Sequence, residues 1–237
     1  MPDDQDPVET KENNRDQDAN SEQLNNLETI NNSAKDFLYF VLDLLKTGVI
    51  VFLIAFGLRY FAIQPFIVDG ESMMPNYVNN EYILAEKISY LTGEPKRGDV
   101  IVFRYPGNPN VSYIKRIIGL PGDTITIEND AVTITSTEHP EGVKLDEKYL
   151  PSDTLTLATG THNGPYTQKV ETGQYFVMGD NRQHSSDSRE WGLLPKSNII
   201  GRAWLTLLPA NKFGVQKRIS YPGLSELVRS LALLNSK

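Results

Sequence analysis

The chain has 237 residues, enough for one large domain or two small ones, and 39% of them are hydrophobic, so a packed core is within reach. The net charge of −7 resides wholly in residues 1–36, which hold three basic and ten acidic side chains; the other 201 residues sum to zero and carry no Lys/Arg stripe, which argues against nucleic acid as a partner. Cysteine is absent and histidine is confined to His139, His162 and His184, which excludes disulfides, thiolate metal sites and a cysteine nucleophile, and leaves no histidine-rich metal centre to expect.

Residues 1–35 are dominated by Asn, Asp, Gln and Glu, cannot bury enough apolar surface to offset their ordering entropy, and read as a disordered acidic tail. The composition then turns apolar, and Thr47–Leu58 carries no charge. A helix over Thr47–Ile67 would be about 21 residues long and, at ~1.5 Å per residue, would cross a hydrocarbon layer of ~30 Å. Its one charge, Arg59, lies near an end and can snorkel. A buried core helix is the competing reading. A cleaved signal peptide fits less well, because the preceding tail is long and acidic and no small-x-small site follows before Pro65. Residues 36–66 are therefore expected to be an uncleaved single-pass anchor, with the lysines Lys35 and Lys46 favouring a cytoplasmic N-terminus.

Beyond Pro65 the pattern changes to short β-type runs separated by turn residues: 81–87, 99–105, 112–118, 124–128, 131–135, 173–178 and 200–207. Asn129-Asp130 joins the alternating runs TITIE and AVTIT as a hairpin. The fold class expected is mainly β, with a core from 67–122 and 172–215 and an inserted β subdomain over 123–171. Near the C-terminus, Leu224, Leu227, Val228 and Leu231 recur at helical spacing, which predicts an amphipathic segment within 216–237.

Three segments carry candidate chemistry. In VDGESMMPNY, Ser72 sits on backbone constrained by Gly70 and Pro75, as a nucleophile needs and as an ordinary turn also shows. It follows the apolar span by five residues, so its chemistry would occur at the bilayer surface. In YIKRIIGLPGD, Lys115 shares a strand face with Tyr113 and Ile117; burial there would lower its pKa and make it a general base, the alternative being a lysine that snorkels to water. In GDNRQHSSDSREWG, residues 179–192, serines, aspartates and arginines crowd into one loop that could orient a catalytic pair or tie itself through Asp187 and Arg189. His184 opens a rival assignment, a triad of Ser72, His184 and Asp180 or Asp187. The tripeptide Arg97-Gly98-Asp99 runs into the apolar VIVF and reads as a turn entering a strand.

In this order behind an N-terminal span, these segments and RGDVIVFRYP at 97–106 resemble the type I signal peptidases, the bacterial leader peptidases with a Ser/Lys dyad. The resemblance covers roughly residues 37–210. It implies that Ser72 attacks the scissile carbonyl of a preprotein and that Lys115 is the general base. Ser185 would hydrogen-bond the lysine amine, Asp180, Arg182, Asp187 and Arg189 would brace the site, and Arg116 would be structural. It also implies a β catalytic core with an inserted β domain, anchored in the cell membrane with the site outside the cytoplasm. Cleavage would follow small residues at −3 and −1 of the signal peptide. Signal peptides, the lipid bilayer and the protein export channel are the partners implied; no metal or organic cofactor and no nucleic acid are. Where the family usually has Asp and Asn this chain has Gln183 and His184, and Gly70 replaces the hydroxyl residue that completes the oxyanion hole in some members, so that backbone amides near Gly70 and Ser72 would have to supply more of it. Two other classes of function compete: an inactive membrane-tethered interaction module, which the joint presence of Ser72 and Lys115 opposes, and a self-cleaving regulator with a DNA-binding segment, which the acidic tail and span oppose.

Overall fold

The computed structural model describes residues 35–57, 62–158 and 165–224. Helix α1, Lys35–Gly57, has 23 residues, a mean hydropathy of 2.2 and no buried residue, so it is long and apolar enough to cross a membrane. The acidic tail read over 1–35 lies, apart from Lys35, outside the described residues.

The remainder is mainly β. Its strands, all paired antiparallel, are β1 (Ile63–Ile67), β2 (Tyr82–Glu86), β3 (Val100–Tyr105), β4 (Asn108–Gly119), β5 (Thr124–Glu128), β6 (Ala131–Thr135), β7 (Val143–Lys144), β8 (Tyr166–Lys169), β9 (Gln174–Met178), β10 (Leu194–Pro195), β11 (Ile199–Leu208) and β12 (Gly214–Val215). Two helical turns, α2 (Ile88–Thr92) and α3 (Ser188–Trp191), interrupt them. The larger sheet runs β1-β2-β11-β3-β4-β9-β10, with β12 alongside β11; the smaller runs β7-β6-β5-β8.

Strand β1 corrects the expectation that one helix extends to Ile67. Its residues Ile63, Gln64, Pro65, Phe66 and Ile67 pair with Glu86 back to Tyr82. Proline in a helix interior removes a hydrogen bond and clashes with the preceding turn, whereas an edge strand tolerates it, and β1 is the edge here. The β5–β6 hairpin turns at Asn129 and Asp130, both at positive φ, which these two residue types accept more readily than most. Strands β4 and β9 are neighbours, Arg116 opposite Met178, so the chain between them is an excursion that builds the small sheet and returns.

Alternation places each strand's apolar residues inward. Ile125, Ile127, Val132 and Ile134 of the small sheet pack with Ile118, Phe176 and Met178 of the large one. A second cluster, with Ile83, Ala85, Val102 and Ile114, encloses Met73 and Tyr77 and so roots the turn that carries Ser72. After β12 the chain runs as a strap over Gly98, where Ile219 O lies too close for any Cβ, and ends in buried Tyr221. Of the amphipathic segment expected near the C-terminus, Leu224 lies in a 3₁₀ turn, while Leu227, Val228 and Leu231 lie outside the described residues.

Candidate active site

Ser72 and Lys115, 43 positions apart, meet: Lys115 Nζ donates to Ser72 Oγ at 2.7 Å. Ser72 follows Gly70, whose φ of +97° is open to glycine at little cost. The turn is fastened by Met74 N to Glu71 O and Tyr77 N to Met73 O, with Met73 and Tyr77 buried beneath it. Lys115 lies mid-way along β4, opposite Ile101 of β3, and only 4% of it is exposed. Its amine also donates to Ile114 O at 3.0 Å and stands 5.3 Å from the Tyr113 ring centre. Burial, which opposes the charged form, pulls Lys115 from 10.5 to about 8; Asp187 and Asp180 pull the other way, and Arg189 adds to the fall.

Behind the pair lies loop 179–187. Ser72 O accepts from Asn181 N at 3.0 Å and Glu71 O from Asn181 Nδ2 at 3.2 Å, which ties the serine turn to this loop. Arg116 grips Asp180 through Nε at 2.8 Å and Nη2 at 2.6 Å, and Asn76 Nδ2 donates to the same carboxylate at 2.9 Å. Arg189 grips Asp187 through Nε at 2.8 Å and Nη2 at 2.7 Å, while Asp187 also accepts from Gly179 N at 3.0 Å. Such bidentate charge-assisted pairs hold direction as well as position. Gly179 has no room for a side chain, since a Cβ would collide with Ser185 Oγ and Ser72 O. A cleft of about 280 Å³ opens in front of the pair, lined by Phe66, Val68, Ile83, Val102 and Ile114 among others, with His184 at it too.

The sequence profile described as signal peptidase, peptidase S26, matches residues 41–208. The chain belongs to the signal peptidase family. It is a serine endopeptidase of that family, and its relatives match over most of both lengths. Signal peptidase I P of Bacillus subtilis subsp. natto is 38% identical over 173 residues, 73% of this chain and 91% of its own. Probable signal peptidase I-1 of Synechocystis sp. is 35% identical, over 74% of this chain and 86% of its own, and signal peptidase I of Leptolyngbya laminosa is 37% identical, over 72% and 81%.

Against the expectations for a signal peptidase, Ser185 is placed differently. Its buried Oγ has no hydrogen-bond partner among the described residues, and the amine of Lys115 is held instead by Ser72 Oγ and Ile114 O. The hydroxyl is turned over Gly179, into the space that the missing Cβ leaves. Gly70 N donates to Asn79 Oδ1 at 2.9 Å, so this amide is engaged within its own turn. The histidine triad is not assembled. His184 is exposed, and the carboxylates it would need, Asp180 and Asp187, are taken up by Arg116 and Arg189. Arg97-Gly98-Asp99 is structural: Arg97 pairs with Asp123 at 2.9 Å, and buried Asp99 accepts from Arg218 at 2.7 Å and Tyr90 at 2.9 Å.

Arg182 is anchored by residues that carried no local signal. Its guanidinium reaches Glu147 Oε2 at 2.8 Å, Glu147 Oε1 at 2.5 Å, Thr156 Oγ1 at 3.0 Å and Tyr149 Oη at 3.0 Å. Asn76 and Asn181 lie inside the serine motif and loop 179–192 but are of a residue type common in any turn, and the run LDEKYLP, which holds Glu147 and Tyr149, looks like any solvated loop.

Proposed function

We propose that this chain removes signal peptides from exported preproteins, with Ser72 as nucleophile and Lys115 as general base. The observation that carries the reading is the 2.7 Å contact between a serine on a rigid turn and a buried lysine whose ammonium form is disfavoured. A neutral amine takes the Ser72 proton as Oγ attacks the scissile carbonyl, and the ammonium then protonates the departing amine as the C–N bond breaks. The acyl-enzyme is cleared when Lys115 takes a proton from water as the water oxygen bonds to the acyl carbon, then returns that proton to Ser72 Oγ as the acyl C–O bond breaks and the carboxylic product leaves. With the Gly70 amide occupied, the Ser72 amide is the backbone donor left to face the oxyanion. The apolar walls of the cleft, among them Phe66, Val68 and Ile83, are where we place the small side chains at −3 and −1 of the signal peptide.

Mass spectrometry of a preprotein incubated with the full chain in detergent tests this reading. A single cut after a small-x-small site, absent with Ser72→Ala, is the expected result; cleavage that survives in Ser72→Ala would overturn it.

The helix Lys35–Gly57 supports a single-pass anchor in the cell membrane, and Lys35 and Lys46, ahead of the uncharged run Thr47–Leu58, favour a cytoplasmic N-terminus with the β body outside. Membranes carrying the full chain are expected to retain it through alkaline carbonate extraction, and its appearance in the soluble fraction would refute the anchor.

A further inference from the structure

Three buried arginines, Arg116, Arg182 and Arg189, surround the rear of the Ser72–Lys115 pair. Loop 179–187 offers them only two carboxylates. Asp180 is committed to Arg116 and Asn76, and Asp187 to Arg189 and the Gly179 amide. The third carboxylate, on Arg182, is Glu147, which comes from the excursion between β4 and β9. A buried guanidinium left without it would compete for Asp180 and pull on the loop that holds Ser72.

Tyr149, two residues on, binds the same cluster from several sides. Its ring lies under the Arg116 guanidinium at 4.3 Å, its hydroxyl accepts from Arg182 and donates to Glu147 at 2.7 Å, and its carbonyl accepts from Asn76 at 3.1 Å. Asn76 follows Ser72 by four residues and Arg116 adjoins Lys115, so the serine turn, the lysine strand and loop 179–187 all converge on Glu147 and Tyr149. Leu157 O adds a further hold by accepting from Arg189 at 3.0 Å.

We propose that Glu147 and Tyr149 are positioning residues, through which the inserted segment sets the alignment of the Ser72–Lys115 pair. The proposal rests on the function read above for that pair. Cleavage kinetics of the full chain in detergent test it, with near-UV circular dichroism establishing that each variant is folded at the assay temperature. Glu147→Gln is expected to lower kcat by between about 10- and 100-fold, the scale for a small misplacement of reacting groups, with KM within about twofold. Arg182→Gln should do the same, and the double variant should be no slower than the slower single, because both remove one interaction. A kcat for folded Glu147→Gln within about twofold of wild type, or losses that multiply in the double variant, would overturn the proposal. If Glu147→Gln does not fold, Tyr149→Phe carries the test: it keeps the ring over Arg116 and loses only the hydroxyl. A severalfold lower kcat is expected of it, and wild-type kcat would count against the proposal. Ser72→Ala run in parallel separates the two ideas. Activity surviving there defeats the dyad and this inference together, whereas a dead Ser72→Ala beside an unaffected Glu147→Gln defeats this inference alone.

Discussion

Replacing Lys115 by methionine is expected to lower kcat by about 10³-fold or more while making the protein more resistant to heat at pH 7. The loss follows from the single contact that Ser72 Oγ makes with a base. The gain follows from the cost of burying an ammonium. In the native state the amine titrates near 8, against 10.5 when free. Below pH 8 both states hold the proton and the native state bears the full penalty. Between about 8 and 10.5 the unfolded chain binds more protons than the native one, so stability rises with pH through that window. A shift of this size corresponds to at most about 3 kcal/mol, partly offset in the wild type by the hydrogen bonds to Ser72 and Ile114. Methionine keeps the stem and removes the charge, so a net gain of about 1–2 kcal/mol, or several degrees in Tm, is expected at pH 7 and should shrink as pH approaches 10.

The same titration fixes the pH dependence of the wild type. Only roughly a tenth of the lysine is neutral at pH 7, so kcat/KM should rise with pH and level off above about 8. Thermal melts at pH 7 and 9 beside cleavage kinetics check both arms. His184→Ala, run as the comparison, should stay within about threefold of wild type, since its ring is exposed and the two triad carboxylates, Asp180 and Asp187, are held by Arg116 and Arg189. Full activity in Lys115→Met, or its loss in His184→Ala, would reverse the assignment of the base.

Asp180→Asn is expected to cost about 3–5 kcal/mol, because it preserves shape yet leaves the buried Arg116 guanidinium without its counter-charge. In a body of this size that is a fall of about 10 °C in Tm. The exposed pair of Lys196 and Glu94, at 2.6 Å, provides the contrast: its geometry is as close, yet water screens it, and Lys196→Ala should cost less than about 1 kcal/mol. Differential scanning calorimetry of the two variants decides the matter; equal, small losses would mean that Arg116 finds another partner. Asp180 also raises the Lys115 pKa, so whatever folded Asp180→Asn remains should show its acidic limb at lower pH than the wild type.

Local chemistry was enough to read the longer strands, whereas Ser72 and Lys115 became a candidate reacting pair only through the family resemblance. The alternation of TITIE and AVTIT about Asn129-Asp130 encodes a hairpin irrespective of surroundings, because side-chain period and turn backbone are properties of neighbouring residues. Ser72, Lys115 and the Asp187–Arg189 pair stood out because each lies in a short run whose composition is unusual. The end of the apolar span did not: IQPFI continues the apolar run with three large hydrophobic residues, and its pairing with β2 depends on a partner some twenty residues away.

Charge balance was likewise invisible along the chain. Arg182 and Arg189 each have an aspartate two residues away in sequence, as in a self-contained loop, whereas packing pairs Arg116 with Asp180 from 64 residues away and leaves Arg182 in need of Glu147 from 35 residues away. The Ser185 hydroxyl and the Gly70 amide were given roles by resemblance, and their directions turned on the space over Gly179 and the reach of Asn79. Residue identity and short-range periodicity thus named the fold class and marked Ser72 and Lys115 as candidates, since these depend on covalent neighbours. Which carboxylate neutralises which guanidinium, and where each hydroxyl points, depended on burial and long-range contact, because a charge or a polar hydrogen is satisfied by whatever the folded chain brings within about 3 Å of it.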